Sequence, residues 1–192
     1  YGGYGFWSNR NFITKFNFET KQWDFVPHLN SKELPSGSQK SIVKIIEDDL
    51  YVYGGIKVNE FNPYIFEDNN EIWKFNFINK VWKKLGINNL QKDNILNNTK
   101  IDYGDKSLFF DKETSCTTHV DFINNKVTTY KNSTLLNSLS FLPISFFHKN
   151  KFFLFVKENP SSPVLVLKIR NEDEVLGEII DQKSFYRNQT DI

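Results

Sequence analysis

Tyr51-Val52-Tyr53-Gly54-Gly55, followed after a gap by Phe75-Asn76-Phe77-Ile78-Asn79-Lys80-Val81-Trp82, is the stretch on which the fold turns. It matters because the chain uses the phrase twice. Tyr1-Gly2-Gly3 is followed by Phe16-Asn17-Phe18-Glu19-Thr20-Lys21-Gln22-Trp23, with the same spacing from Phe to Trp. A fixed unit repeated along a chain points to a repeat architecture rather than to a single irregular domain.

The second copy can be read outward from its glycines. Ser41-Ile42-Val43-Lys44-Ile45-Ile46 is a β-branched run, Glu47-Asp48-Asp49 a turn, and Leu50-Tyr51-Val52-Tyr53 a second strand ending at Gly54-Gly55. After a long loop over 56–70, Glu71 to Phe77 alternates as a third strand and Val81 to Leu85 reads as a fourth. Four short strands joined by tight turns within about 45 residues are the pattern of a propeller blade. The glycines suit a crowded strand end and a positive φ at its exit. Trp23 and Trp82 offer a large apolar plate to wedge between sheets, and Thr20 and Asn79 suit the tight turns before them.

These residues resemble kelch motifs, the blades of kelch and galactose-oxidase-type β-propellers. Phe-Asn stands where that family usually has Tyr-Asp. The Asn- and Lys-rich wording around Tyr4-Gly5-Phe6-Trp7 also resembles kelch-containing proteins of Bacteroidetes. The clear units span 1–26 and 38–85, and two degenerate ones are expected at 100–131 and 138–182. In the third, Ser107 to Phe110, His119 to Phe122 and Val127 to Tyr130 are the strands, with Tyr130 in the tryptophan's place. In the fourth, strands are expected at 140–147, 151–156 and 163–169, with Glu178-Ile179-Ile180 as the last. The fold expectation is therefore all-β: a kelch-type propeller segment of about four four-stranded blades within one domain, 1–192, part of a larger ring whose other blades lie upstream or come from another chain.

Bulk properties narrow the function classes. Among 192 residues, 24 Lys and Arg nearly cancel 23 Asp and Glu, so no global field draws the chain to nucleic acid or an anionic membrane. Aromatic residues make up 16 %, with 19 Phe, which favours strands. A single cysteine, Cys116, excludes an intrachain disulfide and leaves the compartment open. A periplasmic, cell-surface or secreted location is favoured over the cytoplasm. No apolar run reaches the ~20 residues of a membrane-spanning helix.

In a meander, the loops between second and third strands share a face with the loops between blades. Residues 5–11, 27–40, 56–70 and 86–100 should therefore cluster there. Two of these loops carry aromatic groups: Phe6, Trp7 and Arg10 in one, and Phe61, Tyr64 and Phe66 beside Glu60, Glu67 and Asp68 in the other. Such rings either anchor a partner or a sugar, or fold back over the blades.

Catalytic and metal-binding chemistry finds little support. Cys116-Thr117-Thr118-His119 has a ligand-like spacing without further ligands, His28 and His148 being remote. Nothing reproduces the copper site of galactose oxidase. The chain lacks a nucleophile elbow and a phosphate loop, and Glu47-Asp48-Asp49 reads as a hairpin turn. Asn97, Asn132 and Asn188 head glycosylation sequons. The expectation is a non-catalytic module without cofactor or metal that binds a protein partner through its loop face. A carbohydrate-binding or carbohydrate-active propeller and a structural part of a membrane-associated assembly are the alternatives.

Overall fold

The structure is a computed structural model that describes residues 1, 4–5, 8–9, 11–29, 33–59, 61–62, 64–88, 99–111, 114, 116–131, 140–141, 145–157, 161 and 164–187. At 4–5, 8–9, 88, 99 and 140–141 only the backbone is described. Gly2, Gly3, Phe6, Trp7 and Arg10 of the expected repeat and loop face lie outside these residues, as do the sequons at Asn97, Asn132 and Asn188. The architecture is nearly all β. It forms two compact units, one of 1–89 with 186–192 and the other of 90–185. No helix among the described residues is long and apolar enough to cross a membrane.

The first unit opens with two hairpins, β1 (Tyr4–Gly5) with β2 (Ser8–Asn9) and β3 (Ile13–Asn17) with β4 (Gln22–Val26). A meander follows, made of β5 (Ile42–Ile46), β6 (Asp49–Tyr53), β9 (Glu71–Asn76) and β10 (Val81–Asn88). These are the four strands read from the second copy, paired antiparallel in sequence order. The long loop between the second and third strands is itself a hairpin, β7 (Ile56–Val58) with β8 (Phe66–Asp68). β20 (Tyr186–Arg187) adds a fifth strand beyond β10. There Gly86 is obligatory, since a Cβ on it would stand 2.0 Å from the Arg187 carbonyl oxygen.

One face of this meander carries Leu50, Val52, Trp73, Phe75 and Trp82, all buried, and Ile13 of β3 packs on them. Trp82 meets Phe75 at 5.0 Å and Tyr1 edge-on at 5.6 Å. The expected plate is thus realised at Trp82, which is 4 % exposed, but Trp23 is 68 % exposed. Trp23 still touches Phe16 at 5.4 Å, so the local pair survives without the covering layer.

The second unit repeats the meander as β11 (Thr99–Tyr103), β12 (Lys106–Asp111), β13 (Cys116–Asp121) and β14 (Lys126–Lys131). Its expected strands are all present, but the tryptophan position is not Tyr130. Phe75 faces Trp82 and Val120 faces Val127 across the same turn, so Val127, 1 % exposed, takes that place. A smaller sheet contains β15 (Ser140–Phe141), β16 (Phe146–His148), β17 (Lys151–Lys157) and β18 (Val166–Arg170). β15 and β16 pair along the same edge of β17, and Phe155 N–H donates to Ser145 Oγ (3.1 Å) between them. The expected last strand goes elsewhere: β19 (Ile179–Ser184) pairs with β14 rather than β18, after the single turn α1 (Glu172–Val175). The detour through that turn, anchored by buried Val175, carries the chain away from β18. The two sheets of this unit share a core of Ile101, Leu108, Phe110, Phe152, Leu154 and Val156.

The turns between third and fourth strands also differ from expectation in who accepts. Asn17 Oδ1 accepts from Thr20 N–H (3.2 Å), Asn76 Oδ1 from Asn79 N–H (2.8 Å) and Asp121 Oδ1 from Asn124 N–H (2.9 Å). The side chain is thus supplied by the strand end, and the Thr or Asn of the turn contributes its backbone. Lys21, Lys80 and Asn125 close the three turns at φ of 57°, 55° and 50°.

The double glycine is explained by both conformation and space. Gly54 and Gly55 have φ of +67° and +87°, and a Cβ on Gly55 would lie 2.6 Å from the Gln39 carbonyl oxygen and 2.8 Å from Ser41 N. Gly55→Ala is therefore expected to destabilise by about 2–4 kcal/mol, and Gly54→Ala, with open space around it, by about 1 kcal/mol. Lys80→Asn, which installs the residue of the third turn, should stabilise by about 0.5 kcal/mol. Urea unfolding of the three variants checks the order; equal losses at Gly54 and Gly55 would contradict the close-approach argument.

Candidate functional site

Three exposed aromatic residues of the first unit, Phe61, Tyr64 and Phe66, lie on the β7–β8 hairpin. Its base is fixed to the body of the unit: Gln39 and Ile56 exchange both backbone bonds (3.0 and 2.9 Å), and Asn69 N–H donates to Gly55 O (2.9 Å). The tip is then built by two asparagines. Asn59 Oδ1 accepts from Phe61 N–H (2.8 Å) and Asn62 N–H (2.9 Å), and Asn62 Oδ1 accepts from Tyr64 N–H (3.0 Å). Asn59 N–H donates to Ile65 O (2.9 Å), Ile65 N–H to Asn62 O (3.0 Å), and Asn59 Nδ2 to Glu67. Asn is suited to such self-closing turns because its short side chain imitates a backbone carbonyl.

The result is an ordered loop that holds apolar rings in water. Phe61 is 95 % exposed, Tyr64 88 % and Phe66 49 %, with Ile65 beside them. Of the six residues expected on the loop face, Phe6, Trp7 and Arg10 lie outside the described residues; the structure gathers the other three on one hairpin, and none of these three is buried in the core. Backbone placement also sets β2 beside β7 at the base of this hairpin. With the backbone ordered in this way, only side-chain rotamers would remain to be fixed if a ring were covered.

A second cluster, in the second unit, escaped sequence reasoning. Tyr103 on β11 donates its hydroxyl to Glu172 Oε1 of α1 (3.2 Å) and meets His119 Nε2 of β13 at 3.1 Å, the two rings stacked at 5.7 Å. The phenol has one proton, so donation to Glu172 leaves its oxygen to accept from Nε2–H. Tyr130 on β14 flanks the imidazole at 6.2 Å. Burial, then the charge and hydrogen bond of Glu172, raise the Tyr103 hydroxyl well above its ordinary value. Burial and the Lys106 ammonium lower His119, against the opposing carboxylates of Asp121, Glu172 and Asp105. The set comes from three elements far apart in sequence and has no spacing signature. The alternation of β11 and β13, which turns Tyr103 and His119 inward, was its only trace.

Cys116 and His119, whose spacing is ligand-like, have separate partners: the Cys116 thiol bonds Thr114 O (3.3 Å), whereas His119 serves Tyr103. Among the described residues no three His, Cys, Asp or Glu side chains converge. Asp49 leaves the predicted turn to start β6, where Lys74 Nζ and Asn76 Nδ2 bind its two oxygens at 2.8 Å.

The buried imidazole gives a pH signature. Its folded value lies below the ordinary 6.5, so as pH falls past 6.5 the unfolded chain takes up the proton before the folded one does. The stability held above that point is lost as pH drops toward the folded value. Melting temperature is expected to fall on acidification through this window more steeply in the native chain than in His119→Phe. Tyr103→Phe, which strips the imidazole and Glu172 of a partner, should cost about 1–2 kcal/mol at neutral pH. Parallel melting curves of the native chain and His119→Phe between neutral and mildly acidic pH would contradict the assignment.

No family model matches the chain, and no curated protein matches it in sequence. Its structure is similar to the solved structure of YjhT, with a TM-score of 0.52 and 14 % identity over 77 % of this chain and 50 % of that one. The chain thus spans about half the length of YjhT, and at this identity the likeness is one of fold.

Proposed function

We propose that the chain is part of a kelch-type β-propeller and acts as a non-catalytic module that holds a protein partner on its loop face. The support for the propeller is the twice-used kelch-like phrase, four-stranded meanders in both units and a fold likeness to a longer protein. The observation that carries the binding role is the β7–β8 tip, where Phe61, Tyr64 and Phe66 are held in solvent by the Asn59 and Asn62 turns. Exposed rings on a preorganised loop are what interface anchors look like before they are buried, since each can supply about 2 kcal/mol or more on desolvation. The half-buried Glu67 and Asp68 beside them place carboxylate acceptors at the rim.

The same carboxylates and rings favour a second reading, in which the tip holds a sugar by ring stacking and acceptor bonds. The two readings differ in ligand, not in site.

Substituting Phe61→Ser and Tyr64→Ser together should leave the melting temperature within about 2 °C, because neither ring is packed in the core. Partner capture from an extract of the native source should fall at least about thirtyfold, the equivalent of one strong anchor. Quantitative mass spectrometry of captured proteins checks this. Identical capture by both chains would overturn the protein-binding reading, and a glycan array bound by the native chain alone would favour the sugar.

A further inference from the structure

The turns that hold the aromatic tip also decide which polar groups it can offer. Asn59 N–H donates to Ile65 O and Ile65 N–H to Asn62 O, both within the loop. Phe61 and Asn62 N–H donate to Asn59 Oδ1, and Tyr64 N–H to Asn62 Oδ1. Pro63 has no N–H to give, and the Asn59 side-chain amide donates to Glu67. From 59 to 65 the described backbone donors are thus spent inside the hairpin.

What remains is acceptor and ring surface, and the register sorts it by face. Lys57 stands opposite Glu67, Val58 opposite Phe66 and Ile56 opposite Asp68. Successive residues of a strand alternate in face, so Phe66 and Asp68 share one side of the ribbon, about 7 Å apart along it, and Lys57 lies on the other. A carboxylate therefore sits beside a half-exposed ring on the side without the lysine, in a chain whose overall charge is +1. Glu71, the next acid along the chain, does not add to this surface. Lys84 Nζ and the Trp73 indole N–H close on it at 2.6 and 2.9 Å.

These properties discriminate between ligand classes. An anionic group meets like charge and no spare backbone N–H. A sugar hydroxyl both donates and accepts, so against a surface made mostly of acceptors half of its capacity goes unused. An ammonium or guanidinium only donates, and its charge is drawn both to carboxylates and to the negative faces of aromatic rings. Of these two cations the guanidinium is flat. It stacks on a ring while its in-plane N–H groups stay available to a neighbouring carboxylate.

We propose, resting on the protein-binding reading above, that the tip receives an arginine of its partner. The guanidinium stacks on Phe66 and bonds the Asp68 carboxylate, and apolar residues next to that arginine cover Phe61 and Tyr64. The rings supply affinity for any apolar surface; the carboxylate beside Phe66 makes the choice among such surfaces.

The probe is a phage-displayed library of random peptides, selected on the native chain and counter-selected on the Phe61→Ser, Tyr64→Ser double variant. Arginine should be enriched at least about threefold over the library in the selected peptides. A selected peptide should bind about tenfold more weakly when its arginine is replaced by citrulline, the uncharged isostere, and to a similar extent more weakly to Asp68→Asn. Citrulline removes the charge without touching the protein, and the melting temperature of Asp68→Asn shows whether that variant keeps its fold. Selected peptides without arginine enrichment, citrulline that binds as well as arginine, or undiminished binding to a folded Asp68→Asn would overturn the proposal and leave the tip a protein-binding surface. A library in which no peptide tells the native chain from the double variant would overturn the protein-binding reading with it.

Discussion

A single kind of bond sets the register on which the meanders depend. At the end of each third strand a side-chain oxygen, from Asn17, Asn76 or Asp121, closes on a backbone N–H three residues later. The turn it makes needs one residue at positive φ and is completed by Lys21, Lys80 or Asn125. Sheets have a side-chain period of two, so a slip of one residue would turn every apolar group to the wrong face. With the turn fixed, Phe16 meets Trp23, Phe75 meets Trp82 and Val120 meets Val127. Each pair then presents one apolar surface for packing.

What happens to that surface depends on neighbours, not on the hairpin. The Phe75–Trp82 pair is covered by Ile13 and Tyr1, and Trp82 is almost fully buried. The Phe16–Trp23 pair has the same register, yet Trp23 remains mostly exposed. At about 25 cal/mol per Å², an uncovered indole forgoes several kcal/mol of burial. The local element therefore forms from its turn chemistry, and the stabilising energy comes from the layer laid over it.

This division explains how much was legible in the residues. Strands β5, β6, β9 and β10, and the later β12 to β14, were readable because their alternation and turns are local properties. The glycine pair was readable for the same reason, though its close neighbours, Gln39 and Ser41, were not. Pairing choices made over distance escaped: β19 joins β14 rather than β18, and β20 joins β10. Aromatic character points to Tyr130 as the tryptophan's equivalent, whereas the length of the turn sets Val127 opposite Val120 and so selects Val127. On the candidate site, the aromatic composition of the loop was visible, but its construction as a hairpin pinned by Asn59 and Asn62 was not. The Tyr103, His119 and Glu172 cluster was hidden altogether, since it joins two strands and a helical turn.

The two clusters also show why exposure and burial point to different roles. In the second unit the polar groups satisfy one another: Tyr103 serves both Glu172 and His119, and burial keeps the phenol protonated and the imidazole neutral. A network closed in this way stiffens a core and has little capacity left for a ligand. At the β7–β8 tip the described turn bonds are made by backbone and asparagine side chains, and the rings of Phe61 and Tyr64 stand in solvent. Asn59 and Asn62 consume the donors of the loop, which leaves Phe61 and Tyr64 as apolar surface held in place by bonds that do not involve the rings. A surface whose order is provided from beneath can give up its water to a partner without rearranging. That physical difference is what supports the recognition proposed for the tip and the stabilising role of the buried cluster.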